Sequence, residues 1–388
     1  MFQNTRQLSA CVVALVSALT WGGFTAHADH RGDDRHDQRA RKVFVIAMEN
    51  HNWTQPNPTS NPEQIFQNPA APFINSLVSG TSGISGQVAY ATNYLNADLG
   101  VHPSEPNYIW VEAGTNFGVF NDNNPYHADC SPDTVQTTDQ HLSAFLTKAR
   151  RTWKSYQEDT DVDATNVPLP MSAWTVPLFS VSGHFAAGLN AYNYSTQFNY
   201  ASKHNPMVFF TDTNGGCNTA ASNPLRTQYA PLQQLALDLQ DNRVADYNWI
   251  TPDQYNDQHT SLSNGYGRFP SSDDGAKIAQ GDNFVARIVP LIMASKAYKD
   301  HGVIVLWWDE SEDGDTSDFT LPFIVISRDA HPNVSGKPYA SSVQLSHSST
   351  LRTMQEIFDV DPSSGYPWLG GAATATDVSD LFKPGAIK

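Results

Sequence analysis

Apolar residues along this chain fall into two patterns. The continuous runs Val43-Phe44-Val45-Ile46-Ala47-Met48, Val303-Ile304-Val305-Leu306-Trp307-Trp308 and Phe323-Ile324-Val325-Ile326 have strand length and β-branched content, and so read as strands buried on both faces. Tyr247-Asn248-Trp249-Ile250 is a shorter strand candidate, and Met207-Val208-Phe209-Phe210 is a further apolar run. Between these runs the spacing changes to threes and fours. It predicts helices over residues 72–78, over 138–150 with Leu142, Phe145, Leu146 and Ala149 on one face, and around Leu232, Leu235, Ala236 and Leu239. A long helix, kinked at Pro290, is expected over 282–298, and a last one around Leu351, Met354, Ile357 and Phe358. Residues 153–202 are irregular and aromatic, with no assignable period. Strands alternating with helices predict the α/β class, a mostly parallel central sheet with helices on both faces.

The stretch His102-Pro103-Ser104-Glu105-Pro106-Asn107-Tyr108 stands out within this frame. Proline favours the first helical position and glycine the position just past the end, so a short helix is expected over 106–113, stopped by Gly114. Ser104 then lies at the helix entrance, where free backbone N–H groups and the positive end of the dipole favour an anion.

The first 20 residues carry one charge, Arg6, and an apolar run over 10–19, followed by the small residues of Ala26-His27-Ala28. This is the pattern of a secretory signal peptide over 1–28, too short in its apolar part for a permanent anchor. A charged, mobile leader is expected over 29–42 and a single domain over 43–388. Cys11 leaves with the signal, so Cys130 and Cys217 are expected to pair as a disulfide in an oxidising compartment, periplasmic or secreted. The net charge of −16 argues against nucleic acid as a partner and against attraction to anionic membranes.

Ligand sites in open parallel sheets form beyond the carboxyl ends of the strands. Glu49-Asn50 leaves one buried run and Asp309-Glu310 leaves another. Parallel neighbours would gather three carboxylates and an amide oxygen, hard ligands suited to a divalent metal ion. His259, near Asp257, and His347, in Ser346-His347-Ser348, are candidates for a second metal ligand, a phosphoryl-oxygen donor or a general acid. His102 and His204 each lie near a proline, a setting more often structural, and His127 is expected at the surface.

Glu49-Asn50, the Ser104-to-Asn107 element, Asn256-Asp257-Gln258-His259, Trp308-Asp309-Glu310 and Ser346-His347-Ser348, in this order, resemble the phosphoesterase family of bacterial acid phosphatases and phospholipases C, in the alkaline phosphatase superfamily. The resemblance implies an alkaline-phosphatase-like fold and a small phosphoester substrate. It casts Ser104 as a nucleophile forming a phosphoserine, with a metal held by Glu49, Asn50, Asp309 and Glu310. Asn107 would donate to a phosphoryl oxygen, His259 and His347 would face the phosphate from the other side, and His204 and Asp257 would contact substrate. With few Lys or Arg near the motifs, metal and histidines are expected to supply the positive charge. Glu49-Asn50 is followed by His51-Asn52-Trp53, where phospholipases C tend to have Arg, Ser and Phe, and no extra C-terminal lipid-related domain is seen. Tyr108 also stands where sulfatases need Arg. The expectation is an exported, metal-dependent phosphatase for monoesters. The alternatives are a phospholipase C-type phosphodiesterase and a non-catalytic secreted binding protein.

Overall fold

A computed structural model describes residue 40 and residues 42–387. The expected signal peptide and nearly all of the leader lie outside these residues. In chain order the strands are β1 (Lys42–Met48), β2 (Val88–Ala91), β3 (Tyr94–Leu95), β4 (Trp153–Gln157), β5 (Val181–His184), β6 (Gln197–Tyr200), β7 (Tyr229–Pro231), β8 (Tyr247–Thr251), β9 (Gly302–Trp308), β10 (Phe323–Ser327), β11 (Tyr339–Ser341) and β12 (Leu345–Ser346). The α-helices are α1 (Pro72–Ser79), α2 (Ser104–Ala113), α3 (Leu142–Lys148), α4 (Thr211–Asn214), α5 (Gln234–Gln240), α6 (Asp274–Ala294), α7 (Lys296–Lys299) and α8 (His347–Ile357).

Among the described residues eight strands form one sheet in the order β11-β2-β10-β9-β1-β8-β4-β7. Only β10 runs against its neighbours β2 and β9; the other pairs are parallel. The continuous apolar runs have a direct structural reading here. Val43, Val45 and Ala47 of β1 pack with side chains from α2, α3 and α8 on one face. Phe44, Ile46 and Met48 pack on the other face with α1, α5 and α6. Each buried aliphatic side chain of this kind contributes about 1.5–3 kcal/mol, which is why the strands flanked by helices on both sides have no polar alternation.

Several elements differ from the sequence reading. Ala40 is buried and donates to Ala386 O at 3.0 Å, and Lys42 is the first residue of β1, so the packed chain begins inside the expected leader. The expected 138–150 helix contracts to α3, because His141 preceding it is extended. The long helix begins eight residues earlier than expected, at Asp274, capped by Asp273 Oδ1 on the Gly275 N–H, and passes through Pro290 to end at Ala294. The apolar run at 207–210, given no element type from the sequence, lies in a buried 3₁₀ turn over Pro206–Phe209. The stretch that showed no period contains β4, next to the edge strand β7. The pattern of β4 is masked by Lys154, Ser155 and Gln157; Ser155 and Gln157 are buried, and Lys154 is held at Asp238.

Cys130 and Cys217 form the expected disulfide, with Cα atoms 5.5 Å apart. Among the described residues no helix is long and apolar enough to cross a membrane.

Candidate active site

The register of the sheet builds the site. β1 and β9 are parallel neighbours with Met48 opposite Trp308, so Glu49 and Asp309 leave the sheet at the same level. β8 lies on the other side of β1 and leads through Pro252 into the turn that carries Asp257 and His259. Asn50 takes a left-handed conformation (φ 36°), which asparagine tolerates better than most residues, and this lets its N–H reach Asp309 Oδ1 at 3.0 Å. Its Nδ2 donates to Glu310 Oε1 at 2.7 Å.

Helix α2 closes the site from above the strand ends. It starts at Ser104 and not at Pro106, so Ser104 is the first helical residue and Pro103 its extended cap. The serine hydroxyl makes no cap bond. It donates to Glu49 Oε2 at 2.9 Å and lies 3.4 Å from Glu310 Oε1. One turn on, Tyr108 OH donates to Glu49 Oε1 at 2.5 Å. Gly114 ends the helix in the left-handed region (φ 69°), and its N–H caps Trp110 O; a Cβ there would lie 2.3 Å from Leu369 O.

The turn after β8 is held in a costly conformation. Gln258, buried at φ 88°, sits in a region that strains any residue but glycine by about 1–3 kcal/mol. It is fixed by Trp308 Nε1, which donates to its Oε1 at 2.8 Å, and by its own amide on Ile278 O. The strain is thus sustained by neighbours that orient Asp257 and His259 on either side. Asp257 O accepts the Glu49 N–H at 2.8 Å, and Asp257 Oδ1 accepts the His259 N–H at 2.7 Å.

His204, reached from β6 through a 3₁₀ turn, stands between two carboxylates: Nε2 lies 3.1 Å from Glu49 Oε1 and Nδ1 3.2 Å from Asp257 Oδ2. Glu49, His204 and Asp257 each place one donor atom within 4.8 Å of the others. Burial and the neighbouring Asp309 and Asp257 push the Glu49 carboxyl well above the usual range. Asp309 is raised by burial and by Glu310, Asp257 chiefly by burial. Burial, then Lys203 and His259, hold His204 well below its ordinary value, so its imidazole is neutral and free to act as a ligand. Asn50 Oδ1, Asp257 Oδ2, Asp309 Oδ2 and both His204 nitrogens are buried without a hydrogen-bond partner. Repelling carboxylates, orphaned oxygens and a neutral imidazole form a donor set that fits a divalent metal ion.

The remaining predicted residues divide. His259 belongs to the cluster, with its ring 6.0 Å from His204 and its Nδ1 on Thr260 Oγ1, while burial pushes its pKa down to about 4. His347 lies behind the cluster. Its Nε2 donates to Asp309 O, its Nδ1 is 3.0 Å from both Trp307 Nε1 and Tyr94 OH, and burial lowers its pKa to about 3. With both nitrogens engaged it has no atom left for a phosphoryl oxygen, which corrects its expected place opposite the phosphate. Asn107 is also oriented differently. Its amide donates to Val101 O at 3.0 Å and lies 3.4 Å from Glu310 Oε2, leaving Oδ1, an acceptor, unpartnered. His102 bridges Glu310 Oε2 (2.6 Å) and the Asp315 carboxylate (3.0 Å), and the bond to Glu310 raises its pKa to about 9. His127 is at the surface beside Asp133.

The sequence reading missed two groups. Tyr108 was read only as the residue that replaces an arginine. Lys203 precedes His204 directly and lies 2.8 Å from Asp122 Oδ2; burial opposes its charge, but Glu49, Asp122 and Asp309 raise its pKa. This lysine adds a cation to the metal and histidines that were expected to supply the positive charge. Its adjacency to His204 was the available signal.

A family model described as the phosphoesterase family matches residues 23–361. A phosphatidylinositol-3-phosphatase from Mycobacterium tuberculosis is 26% identical over 318 residues, covering 82% of this chain and 78% of that protein. An acid phosphatase from Aspergillus fumigatus is 29% identical over 162 residues, 41% of this chain and only 28% of the fungal protein. Among solved structures, a protein of the alkaline phosphatase superfamily from Vibrio parahaemolyticus superposes with a TM-score of 0.40 at 11% identity, covering 83% of this chain and 67% of that one.

Proposed function

Because this chain belongs to the phosphoesterase family and is thereby a hydrolase of phosphoric esters, we propose that it is an exported, metal-dependent phosphatase that cleaves monoesters through a phosphoserine at Ser104. The observation that carries this reading is the Ser104 hydroxyl, aimed at Glu49 from the first position of a helix, beside buried carboxylates that lack partners. Glu49, Asn50, Asp309 and Glu310 would hold the metal, with His204 and Asp257 available beside them. When bound, the metal supplies positive charge that lowers the serine pKa and neutralises phosphoryl oxygens.

The chain's own groups divide the remaining work. Ser104 Oγ attacks phosphorus, its proton already directed at Glu49 Oε2. The helix α2 N-terminus and Lys203 favour the dianionic ester. In this reading the departing alkoxide takes its proton from water as the P–O bond breaks, and His259, kept neutral by burial, donates a hydrogen bond to a phosphoryl oxygen. Water then attacks the phosphorus of the phosphoserine, the Oγ–P bond breaks as a proton from that water passes to Oγ, and inorganic phosphate leaves. His347 positions Asp309, and His102 with Asn107 positions Glu310, leaving Asn107 Oδ1 for a hydrogen donor of the substrate.

Lys203→Ala is expected to lower kcat/KM by about 10–100-fold, the value of one charge-assisted hydrogen bond, with partial recovery in Lys203→Arg. Steady-state kinetics on an aryl phosphate check this, and a change under twofold would remove Lys203 from the site. Export is supported by the disulfide. The monoester preference draws on the relatives' names, since the 3-phosphate of a phosphoinositide is itself a monoester. Turnover of p-nitrophenyl phosphate, dioctanoyl phosphatidylinositol 3-phosphate and phosphatidylcholine tests it. Activity on the first two supports the proposal. Activity confined to phosphatidylcholine favours the phosphodiesterase, and inactivity on every ester favours a binding protein.

A further inference from the structure

A second group of carboxylates repeats the logic of the active site two strands away. β4 and β8 are parallel neighbours with Gln157 opposite Thr251, as β1 and β9 are. Glu158 and Asp159 leave β4 directly, and Asp253 leaves β8 after Pro252. All three are buried, with 3%, 6% and 1% exposure, and each places one oxygen within 4.8 Å of the others. Oxygens on opposite sides of a calcium ion, at about 2.4 Å from it, are also about 4.8 Å apart.

No cationic side chain forms an ion pair with these residues among the described ones. Their donors are neutral. Asn190 Nδ2 and the Asp253 N–H reach Glu158 at 2.6 and 2.9 Å, Asn256 Nδ2 spans both its oxygens at 3.0 Å, and the Asn199 N–H reaches Asp159 Oδ2 at 3.1 Å. Asp253 Oδ1 is taken by the Tyr255 and Asn256 N–H groups. Asp159 Oδ1 and Asp253 Oδ2 are left buried with no donor from the chain. Carboxylates set against each other this way are held together by a shared proton or by a cation. Burial and repulsion from Asp159 push Glu158 up to about 8, and burial pushes Asp159 to about 6.

We propose that Glu158, Asp159 and Asp253 form a second, structural site for a hard divalent cation of the calcium or magnesium class, separate from the cluster at Glu49. All-oxygen ligands select that class over softer metals. The site has a structural consequence. Asp253 opens the turn whose Asp257 N–H bonds back to Asp253 O at 2.9 Å, so a cation here braces the segment that carries Asp257 and His259.

The test uses the whole protein stripped with chelator and titrated with CaCl₂ or MgCl₂, with bound metal counted by mass spectrometry and Tm followed in parallel. Asp309→Ala, which disables only the first site, is expected to keep a cation-dependent rise in Tm of about 4 °C at a hundredfold excess over Kd. Asp159→Asn and Glu158→Gln should each lose one equivalent of cation and that rise. The inference is overturned if both variants hold as much calcium and magnesium as the wild type. It is equally overturned if neither salt moves the Tm of Asp309→Ala, the result a shared proton would give. Should Glu158→Gln fail to fold, Asp159→Asn, at the most exposed of the three positions, and the Asp309→Ala titration still decide the matter.

Discussion

Ser104→Ala is expected to lower kcat on an aryl phosphate by about 10³-fold or more while substrate binding changes little. The side chain is small and its helix position is indifferent to the change, since the hydroxyl caps nothing and alanine is a good first-turn residue. The effect therefore falls on chemistry. On the proposed mechanism the variant loses the atom that forms the bond to phosphorus, and what remains is attack by water on an ester oriented by the same charges. Acid quenching with labelled substrate separates this from a folding defect: the wild type should retain label on the protein and Ser104→Ala should not. Wild-type turnover by the variant would remove the serine from the mechanism.

Asp309→Ala should cost a comparable factor, about 10³-fold, by a different route. Asp309 is fully buried, held by the Asn50 N–H on Oδ1 and by His347 on its main-chain oxygen, with Oδ2 left free. If Asp309 holds the metal as proposed, removing it deletes a charged ligand, and the loss of several kcal/mol of charge stabilisation corresponds to that factor. Metal content at the first site should fall with activity. An Asp309→Ala protein that retains its metal there would show that the ion is held elsewhere. His347→Ala, by contrast, touches the ligand only through its backbone oxygen.

The chain's own pattern determined the strands that matter most. β1, β9 and β10 are continuous apolar runs because helices cover both faces, and a run of that kind leaves few other readings. It also determined that Glu49-Asn50 and Asp309-Glu310 sit at strand ends, since a charged pair must leave a buried strand where the packing stops. The disulfide was expected because Cys11 was read as part of a signal peptide, leaving Cys130 and Cys217 to pair.

Tertiary structure alone decided the rest. β4 carries Lys, Ser and Gln, whose polarity hides a strand paired on both sides, where its neighbours satisfy those groups. The same concealment hid Glu158 and Asp159, which leave β4 directly. Lys203 and Tyr108 became part of the site only when a 3₁₀ turn and a helix brought them to Glu49 across long stretches of chain. His347 moved the other way, from a suspected acid to a prop behind Asp309. Periodicity reports how each residue meets the core, a local property. Which carboxylates share one space, and which histidine nitrogens remain free, depends on strand register and on contacts between distant segments, to which local spacing is blind.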